Sequence, residues 1–271
     1  GGLSYNQGDT LNYTWALSLN SATNSTWTRL SPGGTLPVKR WGASAIYDPV
    51  NQRMLIFGGK ALGDLSTHYS DVWELSLTSG SETWTNRTPG SGGPSTGRWG
   101  TSAIYDPGNT RVLIFGGRNS GAAPTYYNEL WEIEFSTPGT ETWIQRSPVS
   151  PPTGRRSHTS VYQGDFAEKK MIMFGGYDGT NHYNDVWKLN MTTPGSETWT
   201  QIIPLGTAPL ARRSHSAIYD PVNQRMIIQA GRGAGSPVPF FSDFFQLSFG
   251  DFANHLFVRL TGSLFNPGGF L

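Results

Sequence analysis

The segment Tyr47 to Gly59, YDPVNQRMLIFGG, decides the fold because it returns three times along the chain. It recurs as YDPGNTRVLIFGG at 105–117, as YQGDFAEKKMIMFGG at 162–176 and as YDPVNQRMIIQAG at 219–231. Asp-Pro followed by Asn or Gly is typical of a tight turn, and the apolar run after it has strand composition. Each copy therefore predicts a β-hairpin that ends on glycine, where a side chain would obstruct a sharp bend.

The residues around the hairpins keep the same period. An arginine precedes each hairpin, and aromatic residues follow it at two further positions. These sets are Arg40, Arg98, Arg156 and Arg213; Trp15, Trp73, Trp131, Trp187 and Phe245; and Trp27, Trp84, Trp143, Trp199 and Phe257, with steps of 56 to 59 residues. We predict four strands in a repeat, at 43–47, 53–57, 72–77 and 83–87, and almost no helix.

Four strands cannot bury both faces of their sheet, so neighbouring repeats must stack. The 34 Gly, 18 Pro and low charged fraction of 14% favour one all-β domain with many tight turns. Its units are 1–39 (partial), 40–97, 98–155, 156–212 and 213–271. We expect Trp73, Trp131 and Trp187 to be buried between sheets.

The order of Arg, hairpin, Gly-Gly, acidic residue, Val or Leu, Trp and second Trp resembles the kelch repeat. The acidic motif is Asp71-Val72-Trp73, Glu129-Leu130-Trp131 and Asp185-Val186-Trp187. The resemblance implies a β-propeller of four-stranded blades, here about five. The last unit departs from the pattern, because Gln229-Ala230-Gly231 replaces Phe-Gly-Gly and Phe245 and Phe257 replace both Trp.

Composition argues against several functions. The net charge of +1 does not suggest nucleic-acid binding, and the absence of Cys rules out a disulfide framework or thiolate metal site. No apolar run approaches the roughly 18 residues of a membrane helix. The five His residues have no metal-ligand spacing, and no catalytic or cofactor motif is present. We therefore predict no metal, no cofactor and no catalytic residues.

The four arginines that precede the hairpins, Arg40, Arg98, Arg156 and Arg213, are the first binding candidates. Four guanidiniums at one position of a radial array can receive a carboxylate, sulfate or phosphate. In kelch domains that bind acidic peptides, the matching positions can contribute to recognition. The alternative is structural, with each arginine tying its blade to the next.

The residues beside these arginines form two kinds of repeat. Arg-Trp-Gly places Trp41 and Trp99 after the arginine, whereas Arg-Ser-His places His158 and His215 near it. The difference between the two kinds of repeat predicts that the mouth of the central channel is aromatic on one side and polar on the other, which could orient a ligand. The alternative is that the repeats arose by two separate duplications. In a second functional hypothesis, His158 and His215 serve a sugar-acting enzyme of epimerase or mutarotase type.

The loops between the second and third strands end in pairs of aromatic or His residues, and loops on a rigid scaffold often carry binding. His68, Tyr126 and His182 come first in these pairs and are candidates for stacking on a peptide or glycan. The second members, Tyr69, Tyr127 and Tyr183, are expected to fill space under the loops.

Four Asn-X-Ser/Thr triplets begin at Asn12, Asn24, Asn86 and Asn190 and are glycosylation candidates. The hairpin type and sparse Lys resemble secreted microbial kelch proteins. We therefore expect an extracellular or cell-surface binding or assembly module without a membrane span.

The repeat arithmetic predicts an open first unit. Gly1-Gly2 occupies the Gly-Gly position before Trp15, so the first unit has third and fourth strands but no inner hairpin. One hypothesis is completion by a strand from a neighbouring subunit or separate polypeptide, giving a filament or homo-oligomer. The alternative is that the chain is a fragment of a longer protein.

Overall fold

A computed structural model describes residues 2–4, 9–19, 25–61, 67–121, 123–135, 139–164, 168–249 and 255–260. All regular elements in these ranges are β-strands. Contacts divide the chain into two compact units. Unit 1 is Gly1–Ser147 with Thr153–Arg156, and unit 2 is Pro148–Pro152 with Ser157–Leu271.

Unit 1 contains a hairpin, a two-stranded sheet and two larger sheets. The hairpin is β1 (Gly2–Ser4) and β2 (Asp9–Leu11), and the two-stranded sheet is β3 (Thr14–Leu19) and β4 (Ser25–Leu30). Sheet 2 is β5 (Gly33–Gly34), β6 (Ser44–Asp48), β7 (Arg53–Phe57), β8 (Val72–Ser76) and β9 (Thr83–Asn86). Sheet 3 is β10 (Trp99–Asp106), β11 (Arg111–Arg118), β12 (Leu130–Glu134) and β13 (Thr142–Arg146).

Unit 2 contains the last two repeats. Sheet 4 is β14 (Thr159–Gly164), β15 (Lys169–Tyr177), β16 (His182–Asn190) and β17 (Thr198–Ile202). Sheet 5 is β18 (Leu205–Gly206), β19 (Ser216–Asp220), β20 (Arg225–Gln229), β21 (Phe244–Phe249) and β22 (His255–Arg259). In each full sheet four consecutive strands pair antiparallel, so the four-stranded repeat predicted from the sequence is confirmed.

Three of the hairpin turns are built on an aspartate, at Asp48, Asp106 and Asp220. In the first copy, Asp48 Oδ1 accepts the backbone N–H groups of Val50 and Asn51 at 3.0 and 3.2 Å. Its Oδ2 accepts Nε of Arg53 at 2.8 Å, and Gln52 between them has φ of 48°. Burial alone would raise the pKa of Asp48, but the bonds from Asn51 and Arg53 hold it below its ordinary value. The residues from Asp48 to Arg53 therefore set the turn and fix the start of the second strand of the hairpin.

The core of each unit lies between stacked sheets. In unit 1, Leu55 and Phe57 of sheet 2 belong to one buried cluster with Ile114 and Trp143 of sheet 3. Phe57 meets the Trp143 ring edge-on, with centroids 5.4 Å apart. In unit 2 a second buried cluster joins sheets 4 and 5, with members that include Phe174 and Phe257.

The short parallel strands protect sheet edges. β5 pairs in parallel with the outer strand β9, and β18 does so with β22. A single parallel bridge joins Val149 to Thr198 beside β17. The segment that precedes a repeat thus covers part of the outer edge of that repeat's sheet, where an open edge would invite pairing with another chain.

Burial of the repeated tryptophans was predicted correctly for Trp73 and Trp131, which are 6% and 7% exposed. Trp187 is only half-buried, although its Nε1 donates to Asp185 at 2.7 Å. In the two-stranded sheet the corresponding Trp15 is 52% exposed. Equivalent sequence positions therefore differ strongly in burial.

The described residues contain no helix that is long and apolar enough to span a membrane.

Candidate functional site

The arginine that begins sheet 2 is bonded within the protein. Arg40 is 3% exposed, and its two Nη atoms contact the Asp71 carboxylate at 2.5 and 2.8 Å. It also donates to the carbonyls of Val38 and Gly58, and its guanidinium lies 4.2 Å from the Tyr69 ring centroid. The acidic residue of the Asp-Val-Trp motif thus neutralises the arginine, and the second aromatic of the loop covers it. This geometry supports the structural alternative for Arg40.

The structurally equivalent arginines are Arg98, Arg155 and Arg212. The backbone carbonyl of each accepts the second glycine N–H of the preceding repeat, at 2.8 to 2.9 Å. All three are at most 2% exposed. Arg98 pairs with Glu129 at 3.0 Å and Arg212 with Asp243 at 2.5 Å. The expected equivalence of Arg156 and Arg213 with Arg40 is therefore wrong by one residue.

Arg156 and Arg213 instead occupy the position of Trp41 and Trp99. The residue that follows this position has positive φ in all four copies: 67° at Gly42, 69° at Gly100 and 55° at both Ser157 and Ser214. Glycine adopts this conformation without a steric penalty, which explains the Trp-Gly copies. His158 and His215 then align with Ala43 and Thr101. A binding role for Arg156 and Arg213 stays a prediction. It now applies to the position of Trp41 and Trp99, not to that of Arg40.

A second cationic position, not predicted from the sequence, is the residue directly after the glycine pair. It holds Lys60, Arg118, Tyr177 and Arg232. The Lys60 backbone forms isolated β-bridges with Trp41 on one side and with His68 on the other. The Arg118 backbone pairs with Trp99 in the β10–β11 ladder and forms an isolated β-bridge with Tyr126. The sequence contains this signal, because the residue after the glycine pair is basic in three of the four copies.

In unit 1 these positions form one contiguous group, the cation–aromatic cluster: Trp41, Lys60, Trp99, Arg118, Tyr126 and Arg156. The Trp41 and Trp99 ring centroids are 4.7 Å apart. The Arg156 guanidinium lies 4.5 Å from the Trp99 ring centroid, and that of Arg118 lies 5.3 Å from it. Stacked guanidinium groups are weakly hydrated and keep N–H donors for planar anions.

A serine ties the cluster together. Ser120 Oγ accepts from Lys60 Nζ at 3.1 Å and lies 3.4 Å from Trp99 Nε1. Lys60 is only 8% exposed. The β10–β11 sheet and the loop at 118–126 therefore fix the positions of the cationic groups before a ligand arrives.

Two donors in the cluster are open to an acceptor. The described contacts of Arg118 are all with neutral groups: the Asn119 carbonyl at 2.7 Å, the Tyr126 hydroxyl at 3.1 Å, and two rings. The buried Nε1 of Trp41 has no hydrogen-bond partner among the described residues. Buried polar atoms are almost always bonded, so an unmatched N–H beside cations favours an anionic acceptor.

Unit 2 carries a related arrangement, described by itself. The Arg213 guanidinium lies 4.4 Å from the Tyr177 ring centroid, and the Tyr177 and His182 centroids are 4.6 Å apart. The Arg232 backbone forms isolated β-bridges with Arg213 and with Phe240. The Phe240 side chain is 78% exposed. His182, singled out from the sequence, thus packs against Tyr177, which in turn contacts the Arg213 guanidinium.

The histidines proposed for acid-base chemistry are buried. His158 is 4% and His215 6% exposed. His215 Nε2 lies 2.8 Å from Thr159 Oγ1, and its ring meets Phe174 edge-on. Burial, with the nearby Arg212 charge, lowers the pKa of His215 to about 3. A histidine held neutral in the core stabilises the fold, and this environment gives no support to a general acid at neutral pH.

The pKa of His215 predicts a pH effect on stability. The unfolded chain takes up this proton below about pH 6.5, whereas the folded protein does so only near 3. The contribution of neutral His215 to the free energy of unfolding is therefore fully present above about pH 6.5. It falls as the pH drops from there towards about 3. We expect a loss of about 2 kcal/mol between neutral pH and about pH 5. Urea unfolding at both pH values measures it, and His215→Asn should remove this part of the pH dependence.

The described residues contain no group of three or more His, Asp or Glu side chains able to hold a metal ion. Two sequons lie on exposed strand ends: Asn86 and Asn190 are exposed. Asn12 is half-buried, with Nδ2 donating to the Pro37 carbonyl at 3.3 Å. Asn24 lies outside the described residues.

Comparisons with known proteins agree with the repeat. The chain is 29% identical over 143 residues to the flagellar outer-arm dynein alpha chain of Chlamydomonas reinhardtii, covering 52% of this chain and 3% of that protein. It is 25% identical over 219 residues to the host cell factor homolog hcf-1 of Caenorhabditis elegans, covering 76% and 26%. Human host cell factor 1 is 28% identical over 212 residues, covering 73% and 10%. The chain therefore spans about a quarter or less of the length of these relatives.

A solved structure, that of YjhT, shares the fold. It superposes with a TM-score of 0.64 at 16% sequence identity, covering 88% of this chain and 76% of that one. The KLHDC2/KLHL20/DRC7 Kelch-repeats domain model matches residues 1–231, which is most of the chain. The chain belongs to the kelch-repeat family and is an all-β protein with the β-propeller fold.

Proposed function

We propose that this protein is a protein-binding module that takes an acidic polypeptide segment on the cation–aromatic cluster. The observation that carries the proposal is Arg118, a half-buried guanidinium that lies near two aromatic rings and is bonded, among the described residues, only to neutral groups. A carboxylate placed there gains charge-assisted hydrogen bonds without displacing an internal ion pair. The buried Nε1 of Trp41 offers a further donor. The kelch family membership supports a protein partner.

Removal of the Arg118 guanidinium should weaken binding of a synthetic Glu-rich peptide. We expect Arg118→Ala to reduce affinity by about tenfold, because a hydrogen bond to a charged group contributes about 1.5–3 kcal/mol. Arg156→Ala should act in the same direction, and raising salt should weaken wild-type binding. Isothermal titration calorimetry with the full chain measures these changes.

The matched control is Arg259→Ala, which removes an exposed cation from β22. It should leave peptide affinity unchanged. Equal affinity of wild type and Arg118→Ala, or equal binding of a Lys-rich peptide, contradicts the proposal. Salt-independent binding of a neutral glycan, with no binding of the acidic peptide, would identify a sugar-binding surface instead.

The alternative function, a sugar-acting epimerase-like or mutarotase-like enzyme, lacks a comparable observation. It requires an open site with His158 or His215 beside a carboxylate. In the described structure His215 contacts Thr159 and Phe174, and the charge of Arg212 lies near enough to lower its pKa.

We further propose that the protein acts outside the cell or at its surface, as a glycoprotein. Support comes from the exposed Asn86 and Asn190, whose side chains lie at the ends of β9 and β16. Mass spectrometry of native material tests this through the mass at each sequon.

An assembly role is the third element of the proposal. Support comes from the β3–β4 sheet, since no described strand pairs with the free edge of β3. Completion of that sheet from another polypeptide would make the protein a subunit of a multimer or filament.

A further inference from the structure

Two arginines lie directly opposite each other in unit 2. Arg213 and Arg232 form an antiparallel β-bridge, and the backbone N–H of each donates to the carbonyl of the other at 2.9 Å. In such a hydrogen-bonded pair the Cα atoms are about 5.5 Å apart, and both side chains leave the same face. Both residues are half-buried. Two positive charges are therefore held side by side, and like charges directly opposite each other are unfavourable by themselves.

The same pair of positions is composed differently in unit 1. The Trp41 backbone is bridged to Lys60, and Trp99 is paired with Arg118 in the β10–β11 ladder. Each of these pairs combines one cation with an indole ring, so like charges do not meet. The bridge itself therefore does not require two arginines, and the double arginine of sheet 5 departs from the copies in unit 1.

Arg232 has no acidic partner among the described residues. Its described contacts are backbone hydrogen bonds and the Phe240 ring, whose centroid lies 5.7 Å from the guanidinium carbon. Its Nε is buried and has no hydrogen-bond partner in this part of the chain. Buried polar atoms are almost always bonded, so this donor favours an external acceptor.

The acids of unit 2 that lie outside the described residues belong to other connections. Asp165 is in the β14–β15 connection and Asp251 in the β21–β22 connection, whereas Arg232 is in the β20–β21 connection. Consecutive strands of these sheets run antiparallel, so the first and third connections of a sheet are at the end opposite to the second. The guanidinium of Arg232 is therefore available to a ligand.

An aromatic residue stands on each side of the arginine pair. The Arg213 guanidinium lies 4.4 Å from the Tyr177 ring centroid. On the other side, Arg232 forms a second β-bridge with Phe240, whose side chain is 78% exposed. Two backbone hydrogen bonds of 3.0 and 2.8 Å within residues 231–241 fix the loop that presents this ring. A ligand with an anionic group on an apolar ring would contact both the cations and Phe240.

We propose that Arg213, Arg232 and Phe240 form a binding site for an aryl phosphate, that is, a phosphate monoester on an aromatic ring. Such a phosphate carries a charge of about −1.5 to −2 at neutral pH, which matches two guanidinium groups better than a single carboxylate does. The N–H donors of the arginines bind the phosphate oxygens, and the ring of the ligand packs on Phe240. The site goes beyond the acidic-peptide surface of unit 1 and does not depend on it, because all its residues belong to unit 2.

Isothermal titration calorimetry of the full chain with phenyl phosphate tests the site. We expect saturable binding, with weaker binding of phenyl sulfate, which carries one charge, and of methyl phosphate, which lacks the ring. Arg213→Ala and Arg232→Ala should each weaken phenyl phosphate binding by at least about tenfold, since each removes charge-assisted hydrogen bonds. Phe240→Ala should abolish the preference for phenyl phosphate over methyl phosphate.

The matched control in the same unit is Arg259→Ala, which removes an exposed cation from β22 and should leave the affinity unchanged. Thermal unfolding gives a second readout, because a ligand that binds only the folded protein raises its Tm. Phenyl phosphate should raise the Tm of the wild type but not that of Arg232→Gln. Without ligand, Arg232→Gln should be at least as stable as the wild type, since it relieves the like-charge contact.

An aryl phosphate is presented by small molecules and by phosphotyrosine in a polypeptide. A short peptide with one central phosphotyrosine distinguishes these two sources of the same group. Binding at least about tenfold tighter than that of phenyl phosphate supports the site with a polypeptide ligand. Equal affinity of the two probes supports it with a small-molecule ligand.

Three results overturn the proposal. The first is no binding of phenyl phosphate, or equal binding by the wild type, Arg213→Ala and Arg232→Ala. The second is equal affinity of the wild type for phenyl and methyl phosphate, which would exclude the contact with Phe240. The third is loss of phenyl phosphate binding in Arg118→Ala but not in Arg232→Ala, which would place the phosphate in unit 1. Titration of Arg118→Ala with the Glu-rich peptide is a separate measurement, so failure of this site is distinguishable from failure of the proposed function.

Discussion

Replacing Glu132 by Ala is expected to lower the free energy of unfolding by about 3–5 kcal/mol. Glu132 is 1% exposed and bonds Arg111 at 2.5 Å and Arg146 at 2.8 and 2.9 Å. Arg111 is itself 1% exposed and also bonds Asp106 at 3.1 Å. Loss of the carboxylate removes an acidic partner of the buried Arg111 guanidinium, and an undercompensated charge is costly in a low-dielectric core.

The chain provides a matched control at the same repeat position. Gln246 accepts Arg225 Nη1 at 2.7 Å, so a neutral acceptor suffices where the arginine side chain is 29% exposed. Gln246→Ala should therefore cost only about 1 kcal/mol. Glu132→Gln should fall between the two. Urea unfolding of the three variants measures the order, and equal losses in Glu132→Ala and Gln246→Ala would contradict the buried-charge argument.

The pKa of Glu132 adds a pH signature to this prediction. Burial alone would raise the pKa, but the bonds from Arg146 and Arg111 hold it below the ordinary value. A lowered carboxyl pKa contributes stability above the unfolded pKa, and that stability is lost as pH falls through the folded value. The wild type should therefore lose more stability on acidification than Glu132→Gln does.

Truncation of Trp131 is the second large effect. Trp131 is 7% exposed, meets the Trp143 ring edge-on at 5.9 Å and donates Nε1 to Glu129 at 2.8 Å. We expect Trp131→Ala to cost about 3–5 kcal/mol, since the core between sheets 2 and 3 cannot close over the lost indole. Thermal and urea unfolding measure the loss.

The same substitution at equivalent positions should cost progressively less. Trp187 is half-buried, so Trp187→Ala is expected to give an intermediate loss. Trp15 is 52% exposed, and Trp15→Ala should cost about 1 kcal/mol or less. If Trp15→Ala is as destabilising as Trp131→Ala, the face of the β3–β4 sheet is packed in solution, which would contradict the exposure of Trp15.

The strands themselves could be predicted from the sequence. The segments 53–57 and 72–77 were expected as strands, and β7 and β8 cover Arg53–Phe57 and Val72–Ser76. Turn chemistry is local: the aspartate that accepts two N–H groups and the arginine that bonds it lie within six residues, from Asp48 to Arg53. Short-range bonds and alternating apolar residues leave a readable pattern in the three Asp-Pro copies of the repeat.

The tertiary structure decided which of two adjacent arginines belongs in the core. At Arg155-Arg156 and Arg212-Arg213 the residue types are identical, so only partners distant in sequence distinguish them. Arg212 is selected by Asp243, 31 residues later, and by the Ala230 carbonyl. The tertiary structure likewise decided that Lys60 reaches Ser120, two residues after Arg118. It also decided that Trp15 is exposed where Trp73 is buried. Burial depends on what the neighbouring sheet supplies, and this is not encoded in the repeat.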